Sequence, residues 1–270
     1  MIIIVAEFLI VRRLEMEDKD VLAGRIRDLA QRTRSREYMT HTGFLTPAEQ
    51  ALAVQLLRDP SMAGTRYAFK GGYKEADRRL IVFLPSRMEE DDPEAESVIT
   101  CLRVKPRNAR FTDHPGHRDY LGALMNLGIT REVTGDILVG EDGAFLFVLS
   151  EMAEVIEREL TQVRHTSVEA VCVPASECTA TLKKELVTGS IASERIDALI
   201  GMVFHLSRSA AKERIEQELV FAGGLPVKSV SYTPRVGESI SVRGHGKFIY
   251  LGTENRTKKG RLIAKAERFV

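Results

Sequence analysis

The chain has 270 residues, of which 44% are hydrophobic and 29% charged, and its formal net charge at pH 7 is +1. This length and apolar content predict a globular protein of two or three domains. Three cysteines, Cys101, Cys172 and Cys178, form no Cys-x-x-Cys pair. They argue against a disulfide framework and a thiolate zinc site, and they fit a reducing cytoplasm.

The N-terminal segment over residues 2–11 is apolar but too short to span a bilayer. Arg12 and Arg13 follow this segment, whereas a signal peptide carries its positive charge first. We therefore expect no targeting segment. Because an ordinary helical pattern begins at Met16, we interpret residues 1–15 as a start-site extension.

Residues 16–57 show a helical pattern, in which Thr46 is the predicted N-cap of a helix with Pro47 at its first position. Two strands joined through a Gly-Gly pair are predicted next, over residues 67–73 and 79–84. The acidic run 89–93 is typical of a solvated linker and predicts a domain boundary near residue 92.

The central part of the chain predicts the order strand, helix, strand, strand, helix, strand. The predicted strands cover 98–104, 136–139, 145–149 and 168–173, and the helices cover 118–127 and 152–163. This order predicts a ferredoxin-like, RRM-like βαββαβ domain with both helices on one face of the sheet. Phe145 and Phe147 alternate, but the Arg/Lys-Gly-Phe lead-in of an RNA-recognition strand is missing, so we expect both to be core or interface residues.

Residues His117, Arg118 and Asp119 begin the first helix of this central domain. We interpret them as a possible contact surface, with helix capping by Asp119 as an equally open alternative. Asp113, His114 and His117 surround a Pro-Gly turn without a closed set of ligands, so no metal is assigned.

The C-terminal part predicts two short helices backed by a small sheet. Ile196, Leu199, Ile200 and Val203 form one apolar stripe. Ser207 is the predicted N-cap of a second helix with a stripe of Ala211, Ile215 and Leu219. Strands are predicted over residues 227–232 and 239–242.

The polar residues of this module predict RNA binding, because arginine forks match phosphate oxygens and a helix start favours anions. The candidate RNA-binding residues are Arg195, Ser207, Arg208, Lys212, Arg214, Lys228, Arg235, Arg243 and Lys247. From Ile191 onward the chain carries 14 basic and 8 acidic residues, against 25 and 30 in the rest. A basic end of this kind is typical of a nucleic-acid-binding surface.

Four motifs of this module resemble the alpha-L RNA-binding motif, also called the S-four-type domain. They are Arg-Ile-Asp from residue 195, Ser-Arg-x-x-Ala from 207, the Ile-x-x-x-x-Val-x-x-x-Gly run from 215 and Val-Gly-Glu-Ser-Ile from 236. The chain departs from the motif at Glu218 and Gly223, where the family usually has Gly and Asn. We therefore expect a differently shaped turn between the second helix and the sheet.

A wider resemblance, over residues 16 to 265, is to the bacterial YlmH family. It is carried by Phe-Leu-x-Pro from residue 44, Gly-Gly-Tyr-x-Glu-Ala-x-Arg from 71 and the stretch His-Arg-Asp-Tyr-Leu-Gly-Ala-Leu-Met-Asn-Leu-Gly-Ile-x-Arg from 117. The family implies a non-enzymatic factor of ribosome-associated quality control. Its implied partners are ribosomal RNA, the large ribosomal subunit, peptidyl-tRNA and a tail-elongating factor.

Taken together, the sequence predicts an α+β protein with an N-terminal helical and β region (1–92), the RRM-like domain (93–178) and the alpha-L domain with a basic tail (179–270). No cofactor is expected, because Gly-x-Gly-x-x-Gly, Walker and Gly-x-Ser-x-Gly motifs are absent. The alternatives are an accessory to an RNA-modifying enzyme and a division-linked RNA-binding scaffold.

Overall fold

A computed structural model describes residues 2–108, 114–178, 184–257 and 260–269, with side chains from residue 19 onward. These ranges contain seven α-helices and fourteen strands in three sheets, which confirms the α+β class. The chain divides into two compact units, residues 1–181 (unit 1) and 182–270 (unit 2). In the described ranges, none of the helices has the length and apolar character needed to cross a membrane.

Unit 1 begins with two helices and a three-stranded sheet. These are α1 (Ile2–Arg36), β1 (Thr40–His41), α2 (Pro47–Leu57), β2 (Tyr67–Lys70) and β3 (Leu80–Phe83), and the sheet order is β1-β3-β2. The predicted start of α2 is confirmed, since Thr46 Oγ1 accepts from the Glu49 N–H at 3.3 Å and the Glu49 carboxylate accepts from the Thr46 N–H at 2.6 Å. Both predicted strands are shorter than expected. The first ends at Lys70 because Gly72 takes a left-handed φ of +84° and turns the chain away from β3.

The second part of unit 1 follows the predicted order of elements. Its elements are α3 (Pro93–Glu96), β4 (Ile99–Pro106), α4 (His117–Asn126), β5 (Thr134–Gly140), β6 (Gly143–Leu149), α5 (Ser150–Glu159), β7 (Gln162–Val163) and β8 (Thr166–Val173). The strands pair antiparallel in the order β5-β6-β4-β8-β7. The short helix α3 and the short strand β7 were not predicted. The division of unit 1 at residue 92 stays a prediction.

Helices α4 and α5 pack on the same face of this sheet. Tyr120 and Leu124 of α4 and Ile156 of α5 share one buried core with the strands. The strand residues of that core are Leu102, Val104, Ile137, Ala144, Leu146, Val148, Val163, Val168 and Ala170. Alternate residues of β4 and β6 therefore point away from the helices.

The opposite face of the sheet is covered by the loop that follows β2. Phe147 has no exposed surface, and its ring centroid lies 4.9 Å from that of Tyr73. A Cβ at Gly72 would lie 2.4 Å from the Phe147 ring, so only glycine allows this approach. Phe145 is 7% exposed. The expectation that both phenylalanines are core or interface residues is confirmed.

Unit 2 packs two helices against one face of a six-stranded sheet. Its elements are β9 (Lys184–Ile191), α6 (Ile196–Phe204), α7 (Arg208–Glu216), β10 (Val220–Ala222), β11 (Leu225–Pro226), β12 (Ser239–Val242), β13 (Gly246–Arg256) and β14 (Leu262–Phe269). The order is β11-β10-β12-β13-β14-β9. The first predicted apolar stripe faces this core, as do Ala211 and Ile215 of the second, whereas Leu219 follows the end of α7 and lies outside the core. The predicted strand over residues 239–242 is confirmed.

The strand predicted over residues 227–232 is wrong. Ser229 and Ser231 share a hydroxyl hydrogen bond of 2.8 Å, and the Tyr232 N–H donates to the Ser229 carbonyl, which makes this segment a turn. The Tyr232 carbonyl accepts from the Ile196 N–H at 2.8 Å and so satisfies the first turn of α6. Strands β9, β13 and β14 replace the predicted one as the body of the sheet.

Candidate nucleic-acid interface

Two arginines meet at a buried carboxylate where α6 and α7 begin. Arg195 is the N-cap residue of α6, and Arg208 is the first residue of α7. Arg208 donates to Asp197 Oδ2 from Nε at 3.0 Å and from Nη2 at 2.6 Å, while Arg195 Nε donates to Asp197 Oδ1 at 3.3 Å. The side chain of Asp197 is 6% exposed, whereas those of Arg195 and Arg208 are 41% and 50% exposed.

This arrangement, called here the arginine pair, is suited to binding phosphate. One carboxylate balances one of the two positive charges and fixes both guanidinium groups, so little side-chain entropy is lost when an anion binds. The guanidinium donors not used by Asp197 remain half-exposed, beside the positive ends of two helices. A phosphate group at this place would accept charge-assisted hydrogen bonds.

Ser207 has a structural role at the same place. Its Oγ accepts from the Ala210 N–H at 3.1 Å, which confirms the predicted N-cap of α7, and it shares a 2.9 Å hydrogen bond with Ser209 Oγ. The cap fixes the direction in which α7 leaves the turn. Ser207 thereby helps to place Arg208, and its own contact with RNA stays a prediction.

The other predicted cations lie on different elements of unit 2. Lys212 lies 3.4 Å from Glu216 along α7 and remains exposed, and Arg214 follows on the same helix. Lys228 and Arg235 are exposed on the segment between β11 and β12. Direct RNA contact by these four residues stays a prediction.

Cations of the sheet are paired with aromatic rings that the sequence analysis missed. The Arg243 guanidinium lies 4.9 Å from the Phe221 ring centroid, and the Lys247 amine lies 4.9 Å from that of Phe269. Lys184 approaches Phe269 at 5.2 Å. Such pairs place a cation beside a half-exposed aromatic ring. Single-stranded nucleic acids are bound by this combination, because bases stack on the rings and cations attract the phosphates.

In unit 1, His117, Arg118 and Asp119 form the first turn of α4. Asp119 Oδ2 accepts from the Gly116 N–H at 2.8 Å, and Asp119 Oδ1 lies 3.7 Å from Arg164 Nε. The predicted cap is therefore present. The Asp119 side chain does not orient Arg118, because no hydrogen bond or ion pair joins these two side chains among the described contacts. Although the His117 residue is exposed, partial desolvation of its ring and the nearby Arg131 guanidinium lower its pKa, which favours the neutral form.

The glycine-rich motif that begins at Gly71 fastens the N-terminal part of unit 1 to β5. Asp136 accepts from the Tyr73 hydroxyl at 2.7 Å and from the backbone N–H groups of Asp77 and Arg78. Arg78 in turn donates to the carbonyls of Thr134, Phe44 and Arg131. Tyr73 and Arg78 of this motif have a structural role, because their side chains form hydrogen bonds with other groups of unit 1.

Among the described residues, no group of three His, Cys, Asp or Glu side chains could hold a metal ion. Asp113, one of the three residues weighed as ligands, lies outside the described ranges.

The arginine pair of unit 2 has the donors and the charge that would suit a phosphate group, and nucleic-acid-binding proteins contact phosphate through such groups. Residues 99–177 match the family model described as "Putative RNA-binding domain in YlmH". Over 234 residues the chain is 28% identical to the "Ribosome-associated protein quality control protein P2" of Bacillus subtilis (strain 168), covering 85% of this chain and 87% of that protein. The resemblance to the YlmH family is thereby confirmed.

A solved structure, "Cell division protein ylmH from Streptococcus pneumoniae", is also similar. It is 18% identical, with a TM-score of 0.46, and the match covers 62% of this chain and 93% of that one.

Proposed function

We propose that this chain is an RNA-binding, non-enzymatic factor of ribosome-associated quality control in the cytoplasm. The observation that carries the proposal is the arginine pair, in which the buried Asp197 holds Arg195 and Arg208 at two helix N-termini. In this proposal the site recognises phosphate and carries out no covalent chemistry. The relative in Bacillus subtilis, named as a ribosome-associated quality control protein, supports the ribosome as the source of that phosphate.

In this proposal unit 2 is an alpha-L domain of the S-four type. Its two short helices, with the Arg-Ile-Asp and Ser-Arg motifs at their starts, support this assignment. The strands β9, β13 and β14 extend its sheet. Arginine contacts with the phosphate backbone of folded RNA position a protein on the RNA without distinguishing its base sequence.

The central part of unit 1 is, in this proposal, a ferredoxin-like, RRM-like domain that serves as a platform more than as an RNA reader. Its strand order and its two helices on one face support the fold assignment. Stacking of bases on Phe145 and Phe147 is blocked, because both rings are buried. RNA affinity is therefore assigned mainly to unit 2.

We further propose that the bound particle is the large ribosomal subunit holding peptidyl-tRNA, where the chain supports nascent-chain elongation together with a tail-elongating factor. Co-sedimentation of the purified full chain with isolated large and small subunits, followed by crosslinking and mapping of the RNA sites, tests this directly. Expected is retention on large subunits carrying peptidyl-tRNA. The matched variants are Lys212→Ala, which removes a cation on α7, and Lys19→Ala, which removes an exposed cation of unit 1.

Retention lowered by Lys212→Ala and unchanged by Lys19→Ala supports binding through unit 2. Binding that is equal for both subunits, or crosslinks confined to unit 1, would contradict the proposal. Altered base modification in the ribosomal RNA of a deletion strain would favour the alternative of an accessory to an RNA-modifying enzyme. Septal localisation that is independent of RNA would favour the division-linked scaffold.

A further inference from the structure

Strand β2 lies at the edge of the three-stranded sheet of unit 1, and one side of its backbone is unpaired. The Leu84 N–H donates to the Arg66 carbonyl at 3.0 Å, so the hydrogen-bonded positions of β2 are the even-numbered ones. The N–H and C=O groups of Tyr67 and Phe69 therefore point away from β3. Within the described ranges no further strand pairs with β2 on that side.

A groove of about 730 Å³ runs along this free edge. Its lining includes every residue from Thr65 to Lys70 in succession, and the facing wall is Glu89, Glu90 and Asp91. Because successive residues of a strand point to opposite faces, a groove lined by all of them follows the edge of the sheet and not one face. Six residues span about 20 Å at roughly 3.4 Å each, which is the length of a short added strand.

The facing wall of the groove carries unbalanced negative charge. Arg66 lies 2.8 Å from Glu89, and Lys70 is paired with Glu96. Glu90 and Asp91 are exposed, and the described residues offer neither of them an ion pair or hydrogen bond. A lysine on an edge strand commonly blocks pairing with another chain. The side chain of Lys70 is only 12% exposed and is held by Glu96, so it does not guard this edge.

At one end of the groove a side chain lacks a partner. The hydroxyl of Thr65 is buried and forms no hydrogen bond within the described part of the chain. Buried hydroxyl groups are nearly always hydrogen-bonded in proteins, so an unpaired one beside a free strand edge marks a place where a partner group is missing.

We propose that this groove binds an extended, lysine- or arginine-containing segment of another protein by strand addition. The main chain of that segment would pair with the free groups of Tyr67 and Phe69, and its cations would meet Glu90 and Asp91. Because the same carboxylates repel phosphate, this surface and the arginine pair of unit 2 would bind different ligands. The proposal does not depend on the function proposed for unit 2.

The test uses the full chain and hydrogen exchange read at single amides by NMR. The probe is a synthetic eight-residue peptide of alternating threonine and lysine, blocked at both ends. Expected is slower exchange of the Tyr67 and Phe69 amides in its presence. The same peptide N-methylated at every residue keeps its charge but cannot donate, so it should bind weakly. A threonine–glutamate peptide should not bind.

Charge variants of the protein give the second arm of the test. Glu90→Lys together with Asp91→Lys should weaken binding of the threonine–lysine peptide by about fivefold or more. Glu94→Lys is the matched control, because Glu94 is exposed nearby on α3 but does not line the groove. This control should bind the peptide as the unaltered chain does.

Three outcomes would overturn the proposal. The first is equal binding of the N-methylated peptide, which would exclude strand pairing. The second is protection of the Tyr67 and Phe69 amides without peptide in a chain that sediments as a dimer, since the edge would then pair with a second copy. The third is protection of these amides by a uridine oligonucleotide, which would make the groove a nucleic-acid site.

Discussion

Arg208 and Asp197 are joined by two hydrogen bonds to one carboxylate oxygen, at 3.0 and 2.6 Å, across the turn between α6 and α7. The Asp197 carboxylate is almost completely buried, whereas the Arg208 side chain is half-exposed. Arg208 thus has two roles, since it compensates a buried charge and also offers donors to an anion.

Replacing Arg208 by alanine is expected to lower both stability and RNA affinity. Asp197 would keep only its hydrogen bonds from Arg195 and from the Ala198 N–H, and we expect a loss of about 1–2 kcal/mol in the free energy of unfolding. The salt dependence of RNA binding should become about one charge shallower. Denaturant unfolding and binding titrations at several salt concentrations measure the two effects.

Lys212→Ala is the control for Arg208→Ala. Lys212 is exposed and paired only with the exposed Glu216, so its removal should change stability by less than about 0.5 kcal/mol. If it contacts phosphate, it should still make the salt dependence shallower. An Arg208→Ala protein with unaltered stability and salt dependence would contradict both roles of Arg208.

Glu218 occupies a backbone conformation that favours glycine. It follows the end of α7 with φ +55°, and the N–H groups of Glu218 and Leu219 donate to the carbonyls of Ile215 and Arg214. This is a Schellman motif with glutamate at the position where glycine is usual. We expect Glu218→Gly to raise the free energy of unfolding by about 0.5–1 kcal/mol.

The matched control for Glu218→Gly is Glu213→Gly, on an exposed helical position of α7. There glycine should lower stability by about 1 kcal/mol, so the two changes are opposite in sign. Denaturant unfolding of both variants measures the difference. A loss of stability in both would show that left-handed strain at Glu218 is negligible.

Ile215→Ala should destabilise unit 2 by about 2–5 kcal/mol, because Ile215 is 2% exposed in the core between the helices and the sheet. The loss combines transfer free energy with the cavity that is left. Thermal unfolding followed by circular dichroism measures it. An unchanged midpoint would mean that the α7 stripe does not pack as described.

The pKa of His117 is expected to lie below its usual value, because partial desolvation of the ring and the charge of Arg131 disfavour the charged form. For a base with a lowered folded pKa, the stabilising effect of the neutral form is present above pH 6.5 and is lost as the pH falls below it. NMR titration of the His117 ring measures the midpoint. Arg131→Gln should raise this midpoint, and Arg158→Gln on α5 should leave it unchanged.

Local chemistry made much of this fold predictable from sequence. The caps at Thr46 and Ser207 and the burial of Ile215 depend on neighbours within one or two helical turns, and all three are confirmed. The pairing of β9 with β14 joins residues 71 to 85 positions apart, and no local pattern encodes it.

In the candidate site, too, the residues in local motifs were predicted and the contacts made by tertiary structure were not. Arg195 and Arg208 were recognised as cations from their motifs, but the role of Asp197 between them appears only when two helix starts meet. Phe221 and Phe269 were missed because strand pairing brings them to Arg243 and Lys247. The sequence did contain an indication of the role of Asp197. An acidic residue next to basic ones is expected to pair with them if it is buried, because an unpaired buried charge is costly.

The last prediction separates capping from contact at the start of α4. Asp119 accepts from the Gly116 N–H, so Asp119→Ala should lower the free energy of unfolding by about 1 kcal/mol through the lost cap.

Arg118 forms no bond with Asp119 within the described contacts, and its side chain is exposed. Arg118→Ala should therefore leave the melting temperature nearly unchanged. If Arg118 is a contact residue, the same change should reduce retention on large ribosomal subunits carrying peptidyl-tRNA. Retention that stays normal per folded molecule in both variants would show that this turn is structural, and that unit 2 binds without it.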